Sequence, residues 1–86
     1  MSDYSINFVR SARKELERLT SREVSRIFAR IEALTKDPRP KGCQKLVGES
    51  KLWRIRIGDY RVIYSIDDQT MSIDIMQVRH RSDVYR

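Results

Sequence analysis

Residues 52–66 of the chain, LWRIRIGDYRVIYSI, decide its fold. Apolar and polar side chains largely alternate from Leu52 to Ile57 and again from Tyr60 to Ile66, and a period of two is typical of half-buried strands. Between the two runs, Gly58-Asp59 has the length and composition of a two-residue hairpin turn. The stretch therefore predicts an antiparallel β-hairpin.

A two-residue turn also predicts which residues face each other across the hairpin. The predicted pairs are Ile57 with Tyr60, Arg56 with Arg61, Ile55 with Val62, Arg54 with Ile63, and Trp53 with Tyr64. Cross-strand partners share one face of a sheet. One face is then apolar and forms the core, with Ile55, Ile57, Tyr60, Val62, Tyr64 and Ile66. The other face carries Arg54, Arg56 and Arg61.

The chain continues into one more strand after a second turn at residues 67–70. The last strand is predicted over residues 71–78, with Ile66 facing Met71. This register adds Ile73 and Ile75 to the core face and places Asp74 and Met76 on the arginine side. Ahead of the hairpin, residues 44–47 are predicted to form a short edge strand.

The N-terminal half has a different period. Tyr4, Ile6 and Phe8 alternate as in a strand, and two helical stripes follow, formed by Ala12, Leu16 and Leu19 and by Val24, Ile27, Phe28, Ile31 and Leu34. Thr20 and Glu23 fit a capping box at the start of the second helix. The Pro- and Gly-containing segment 37–42 ends that helix. We therefore expect a single α+β domain over residues 1–86: an N-terminal strand and a two-helix hairpin packed on a mainly antiparallel, twisted sheet.

Composition narrows the class of protein. The chain has 86 residues, a formal net charge of +6 and one cysteine, Cys43. These features predict no disulfide framework and no zinc site, and the absence of a long apolar run or signal-peptide pattern predicts a cytoplasmic protein with no membrane partner. Thirteen of the 18 basic residues are arginine. Because guanidinium binds phosphate in a bidentate geometry, this balance favours a nucleic-acid or phosphate partner.

The arginine face of the hairpin is the most informative feature. Like charges that face each other in a sheet are destabilising by about 0.2–1 kcal/mol, so stability gives no reason to gather three arginines there. An ordinary charged solvent face, with Asp74 neutralising Arg61, is one interpretation. Binding of a polyanionic phosphate backbone explains the cluster better, because one aspartate cannot neutralise three arginines.

Two further groups of cations have open interpretations. Arg22, Arg26 and Arg30 lie four residues apart on the second helix and indicate either a nucleic-acid-facing ridge or a solvated face. At the C-terminus, Arg79, His80, Arg81 and Arg86 surround Tyr85, which could stack on a base or accept a proton. Strict alternation from Ile75 would put Arg79 on the core side and His80 on the arginine side.

Residues 52–64 and the closing segment VRHRSDVY, residues 78–85, carry a family resemblance. The hairpin resembles the RelE/ParE superfamily of bacterial and archaeal toxins, and the closing segment is similar to its RelE branch. The resemblance covers nearly the whole chain and implies a RelE-like, microbial RNase-like fold. It also implies a type II toxin that cuts mRNA in the ribosomal A site by attack of a 2′-hydroxyl on the neighbouring phosphate, with no metal or cofactor.

The resemblance implies partners and residue roles as well. The partners are the ribosome with mRNA and a RelB-like antitoxin with an acidic amphipathic segment, and operator DNA is bound only through the antitoxin complex. By motif position the catalytic residues are Arg54, Arg56, Arg61, Arg79 and Tyr85. His80 is a second candidate, because some relatives use a histidine in this region as an acid or base. The residues expected to dock on ribosomal RNA are Arg22, Arg26, Arg30, Lys51, Arg81 and Arg86.

Three other functions share this fold or this composition. A ParE-type toxin would inhibit DNA gyrase and cut no RNA. A non-catalytic RNA-binding or operon-regulating module would bind RNA without cleavage. An inactivated toxin is a third alternative, and the presence of both the arginine cluster and Tyr85 argues against it.

Overall fold

The computed structural model describes residues 3–48 and 51–84 of the chain. Its elements, in chain order, are β1 (Ser5–Phe8), α1 (Arg10–Glu17), α2 (Ser21–Ala33), β2 (Gln44–Lys45), β3 (Leu52–Ile57), β4 (Tyr60–Asp67), β5 (Ser72–His80) and α3 (Arg81–Val84). The strands form one sheet in the order β1-β5-β4-β3-β2, in which β1 is parallel to β5 and the other neighbours are antiparallel. The predicted α+β architecture is confirmed, although the predicted edge strand is only two residues long.

The central hairpin has the predicted register. Each of the five predicted pairs, from Ile57 opposite Tyr60 to Trp53 opposite Tyr64, is present between β3 and β4. Gly58 lies at a φ of 61°, in the left-handed region that a two-residue hairpin turn requires. The alternation of apolar and polar residues together with this turn therefore determines the register.

The core lies between the two long helices and one face of the sheet. α1 and α2 contribute Ala12, Leu16, Ile27 and Ile31, together with Leu34 at the end of α2. The sheet contributes Ile55, Ile57, Val62, Tyr64, Ile66, Ile73, Ile75 and Val78. Phe28, which belongs to the same helical stripe, is 41% exposed and makes an edge contact with Phe8.

Helix α2 begins with the predicted capping box. The Thr20 side chain accepts a hydrogen bond from the Glu23 backbone N–H at 3.2 Å, and the Glu23 carboxylate accepts one from the Thr20 backbone N–H at 3.0 Å. A cap of this kind stabilises a helix by about 1 kcal/mol. It therefore fixes where α2 begins.

The second turn corrects one prediction. Ile66 pairs with Ile73, not with Met71, because the turn lies at residues 68–71, one residue later than the predicted 67–70. Met71 lies in the left-handed region at a φ of 54°, which extends the turn by one residue beyond Thr70. The shift in pairing is two residues, so the predicted faces survive: Ile73 and Ile75 are both buried.

Candidate nucleic-acid interface

Three arginines stand in one row across three neighbouring strands. Arg56 of β3 pairs with Arg61 of β4, and Arg61 pairs with Arg79 of β5. In the adjacent row on the same face, Arg54 pairs with Ile63. The sheet thus gathers all four arginines expected at the site, at the end of the hairpin nearest its turn.

A bulge in β5 places Arg79 in this row. The pairing of β4 with β5 shifts between Ile63, which faces Gln77, and Tyr64, which faces Ile75, so Met76 is the extra residue. One extra residue reverses the two faces for the rest of the strand. Strict alternation was therefore wrong about the strand tip: Arg79 shares a face with Arg61, and His80 shares the opposite face with Tyr60.

The four arginines on this face differ in whether an acidic side chain neutralises their charge. Arg79 Nε lies 2.8 Å from Glu15 Oε2, and Arg54 donates a hydrogen bond to the neutral Gln44 side-chain oxygen. Among the residues that the structure describes, neither Arg56 nor Arg61 forms an ion pair. Asp74, the counter-ion considered for Arg61, lies opposite Ser65 instead.

A shallow cleft of about 230 Å³ opens beside the row. Its lining combines Arg56, Arg61 and Arg81 with Asp59 and Tyr60. The Arg81 backbone N–H donates to the Asp59 carbonyl at 2.7 Å, which ties the start of α3 to the hairpin turn. The three guanidinium groups give this cleft the charge and the hydrogen-bond donors that attract an anion such as phosphate.

The opposite side of the turn is held by a hydrogen-bonded network. The Tyr60 hydroxyl donates to Glu23, and its ring makes an edge contact with His80 at 5.1 Å between centroids. Hydrogen bonds from Tyr60 and from the Thr20 cap hold the pKa of the Glu23 carboxyl below its ordinary value. The network therefore fastens the beginning of α2 to the end of β5.

His80 has a defined role within this network. The Ser82 backbone N–H donates to His80 Nδ1 at 3.1 Å, and the Ser82 hydroxyl lies 2.9 Å from the same nitrogen. A backbone N–H can only donate, so Nδ1 is the acceptor and the neutral ring carries its proton on Nε2. The ring thus caps the first turn of α3, directly before the segment that carries Tyr85.

Helix α2 brings two more cations to the hairpin. The guanidinium of Arg26 packs over Gly58, where a Cβ atom would lie 2.9 Å from Arg26 Nη2. Arg30 lines a second cleft together with Lys41, Arg54 and Arg56. The helical spacing of these arginines did not predict that two of them reach the sheet, because that contact depends on how α2 packs.

The other expected site residues are more peripheral or lie outside the described part. Arg22 and Lys51 are exposed. Tyr85 and Arg86 lie outside the described residues. Within residues 3–48 and 51–84, no three His, Cys, Asp or Glu side chains form a group that could hold a metal ion. None of the helices in the described part is long and apolar enough to cross a membrane.

The loop that carries Lys41 is anchored at several points. Tyr64, which is fully buried, donates from its hydroxyl to the Pro38 carbonyl at 2.7 Å, and burial raises the pKa of that phenol. Arg39 forms a 2.9 Å ion pair with Asp68 and packs over Trp53 at 5.1 Å from the ring centroid. Hydrogen bonds from Arg39 and Tyr4 lower the pKa of Asp68.

Comparison with known proteins identifies the family. A model of the family described as the ParE toxin of type II toxin-antitoxin systems, parDE, matches residues 6–85. The chain belongs to this toxin family. This toxin chain is 32% identical over 85 residues to Toxin RelG of Mycobacterium tuberculosis, and the match covers 96% of the chain and 97% of the relative.

Solved structures agree with this assignment. The archaeal RelE-RelB complex from Pyrococcus horikoshii OT3 matches this toxin with a TM-score of 0.82 at 30% identity, covering 92% of this chain and 96% of the other. The RelBE2 toxin-antitoxin complex from Mycobacterium tuberculosis matches with a TM-score of 0.81 at 28% identity, covering 92% and 99%. The membership in the RelE/ParE superfamily and the RelE-like fold, both expected from the hairpin, are therefore confirmed.

Proposed function

We propose that this toxin is a ribosome-dependent endoribonuclease that cuts mRNA in the A site. The observation that supports this function is the row of Arg56, Arg61 and Arg79, which places like charges opposite one another on three strands. Such a row costs stability unless a polyanion covers it. The two described clefts beside the row give that polyanion a place to lie.

The chemistry we propose is an in-line attack of a ribose 2′-hydroxyl on the adjacent phosphorus. The bond from the 2′-oxygen to phosphorus forms as the bond to the 5′-oxygen breaks, which leaves a 2′,3′-cyclic phosphate and a 5′-hydroxyl. The proton of the 2′-hydroxyl goes to a base, and the departing 5′-oxygen gains a proton or a compensating positive charge. The two non-bridging phosphate oxygens share one negative charge in the substrate and in the cyclic product, and they gain more charge in the transition state.

We assign the residues to these tasks by position. Arg54, Arg56 and Arg61 bind the phosphate oxygens, since all three lie on one face beside the turn. Tyr85, the residue after α3, is the general base in this proposal, because cations next to it in the sequence favour a phenolate. Arg79 stabilises the leaving oxygen once RNA displaces Glu15 from it. His80, the second candidate for proton transfer, shares the opposite face with Tyr60, so we rank it below Tyr85.

We propose three sets of contacts with partners. The exposed cations Arg22, Arg26, Lys51 and Arg81, with Arg86, dock on ribosomal RNA in the cytoplasm. An antitoxin with an acidic amphipathic segment neutralises the arginine face, in keeping with the RelE-RelB complexes to which the chain is similar. Operator DNA is bound only by the complex with that antitoxin.

Translation in vitro with a defined mRNA tests this function. Primer extension should show cuts at A-site codons that depend on ribosomes and on wild-type toxin. The upstream fragments should end in a 2′,3′-cyclic phosphate. Intact mRNA on ribosomes saturated with toxin would contradict the proposal.

A second candidate function is inhibition of DNA gyrase, which the ParE description of the matching family favours. A supercoiling assay with purified gyrase separates the two functions. The nuclease predicts normal supercoiling at toxin concentrations that abolish translation. Loss of supercoiling with intact mRNA would favour the gyrase inhibitor.

A further inference from the structure

A second basic cleft lies next to the arginine row, on the side of the edge strand. It has a volume of about 400 Å³, against about 230 Å³ for the first cleft. Its cationic lining comes from three separate parts of the chain: α2, the 37–42 loop and β3 supply Arg30, Lys41, Arg54 and Arg56. None of the described residues that line it is acidic, whereas Asp59 lines the first cleft.

The second cleft is held in shape before any ligand arrives. Lys41 belongs to a loop that Tyr64 anchors through Pro38 and that Asp68 anchors through Arg39. The Cys43 backbone N–H closes the loop by donating to the Pro40 carbonyl at 3.0 Å. A site that is already ordered loses less conformational entropy on binding, so its affinity is higher than that of mobile surface lysines.

One hydrogen-bond partner of Arg54 lies on the edge strand. Gln44 on β2 accepts a hydrogen bond from the Arg54 guanidinium. An amide oxygen orients a guanidinium without cancelling its charge, which a carboxylate at position 44 would do. The positive charge of the cleft follows from its described lining, which holds Arg30, Lys41, Arg54 and Arg56 and no carboxylate, and such a lining suits a backbone phosphate.

Arg56 lines both clefts, so the two sites adjoin. We propose that the second cleft binds the backbone phosphate next to the scissile one, on the same RNA strand. This inference rests on the proposed function, in which Arg54, Arg56 and Arg61 hold the scissile phosphate; Arg54 and Arg56 also line the second cleft, so the two phosphates share them. It adds Lys41 and Gln44 to the residues that select the substrate and requires at least two adjacent phosphates in it.

Titration of ¹⁵N-labelled toxin with uncleavable 2′-O-methyl oligouridylates tests the second cleft. A dinucleotide has one phosphodiester and a tetranucleotide has three. The tetranucleotide should bind the wild type about tenfold more tightly, since hydrogen bonds to charged groups are strong. Only the tetranucleotide, and not the dinucleotide, should shift the backbone amide NMR signals of Gly42 and Gln44.

A double variant, Arg30→Gln with Lys41→Gln, removes two cations from the second cleft. It should lose about tenfold in affinity for the tetranucleotide and stay within twofold for the dinucleotide. Its slope of log affinity against log salt should fall by about 0.7, as for one lost phosphate contact with a single strand. The matched control is Arg13→Gln with Lys14→Gln, two exposed cations on α1.

The outcomes separate this inference from the nuclease itself. Two results would overturn the second phosphate site, even if ribosome-bound mRNA is cut. One is an equal loss of affinity for the tetranucleotide in the double variant and in its control. The other is equal affinity of the wild type for both oligonucleotides. The opposite result is also informative. If the wild type cuts no mRNA but still binds the tetranucleotide more tightly than the dinucleotide, and the double variant loses that preference, the second phosphate site is supported and the proposed nuclease is contradicted.

Discussion

Arg79 Nε lies 2.8 Å from Glu15 Oε2, and the other oxygen of that carboxylate accepts the Val78 backbone N–H at 3.0 Å. β1 ends at Phe8, which pairs with Ile75, so the far end of β5 has no strand on this side among the described residues. The Glu15 carboxylate accepts the Val78 backbone N–H, which a neighbouring strand would otherwise bind. The same carboxylate restrains an arginine that the proposed reaction needs, and it competes with RNA for it.

Replacement of Glu15 by glutamine should strengthen RNA binding. The amide oxygen can still accept the Val78 N–H, but the charge that holds Arg79 is gone. Because the ion pair is partly exposed, we expect a gain of about 0.5 kcal/mol, or two- to threefold in affinity for the tetranucleotide. The control is Glu17→Gln, which removes an exposed charge from the same helix. Weaker binding by Glu15→Gln than by the control would show that Glu15 positions Arg79 for RNA.

Replacement of Arg61 by glutamine should separate activity from stability. Arg61 faces an arginine on each side, so its loss should leave the free energy of unfolding unchanged or raise it by up to about 1 kcal/mol. The cleavage rate on ribosomes should fall about a hundredfold, as for one lost preorganised donor. Urea titration and single-turnover cleavage measure the two effects. A wild-type rate would remove the arginine row from the active site.

Replacement of Tyr64 by phenylalanine should destabilise the fold. The hydroxyl is buried and donates to the Pro38 carbonyl, which loses that hydrogen bond in the variant. We expect a loss of about 1–3 kcal/mol in the free energy of unfolding, measured by urea titration. Tyr4→Phe is the matched control, because its hydroxyl bonds to Asp68 at an exposed site. Equal losses in both variants would contradict the buried anchor.

Acid should destabilise the toxin through Glu23 and Asp68. Hydrogen bonds from Tyr60 to Glu23 and from Arg39 to Asp68 lower the two pKa values in the folded state. The unfolded chain therefore takes up protons first as the pH falls, so the unfolding free energy should decrease below about pH 4.5, the ordinary pKa of a glutamate. The stabilisation is fully present above that pH.

The urea midpoint between pH 6 and pH 3 measures this effect. Asp68→Asn should flatten the curve, since asparagine has no proton to gain in this range. Glu32→Gln, at an exposed position of α2, should leave the curve unchanged. A curve for Asp68→Asn as steep as that of the wild type would show that Asp68 keeps its ordinary pKa.

The sequence was a good guide where structure depends on local pattern. The register of the central hairpin follows from alternation and a two-residue turn, and with it the face that holds Arg54, Arg56 and Arg61. The capping box at Thr20 is local in the same sense. Family resemblance placed Arg79 at the site with these arginines, whereas strict alternation had put it on the core side.

Features that depend on long-range packing were not predictable in this way. The second turn has no glycine, and nothing in residues 67–70 indicates that Met71 adopts a left-handed conformation. Met76 is apolar enough to suit either face, so alternation gives no sign of the bulge. The contact between Glu15 and Arg79 joins residues 64 positions apart, and the approach of α2 to the hairpin depends on how the helix packs on the sheet.

The extra residue at Met76 has a consequence for anyone who engineers or aligns this strand. Removing Met76 would let Gln77 follow Ile75 in regular alternation, so the bulge would disappear while Val78 stayed on the core face and Arg79 on the arginine face. An alignment without a gap here would equate interior positions of one homologue with solvent-facing positions of another. Grafting this end onto a related scaffold should therefore preserve the pairs Val62–Val78 and Arg61–Arg79, whether or not the recipient strand has the extra residue.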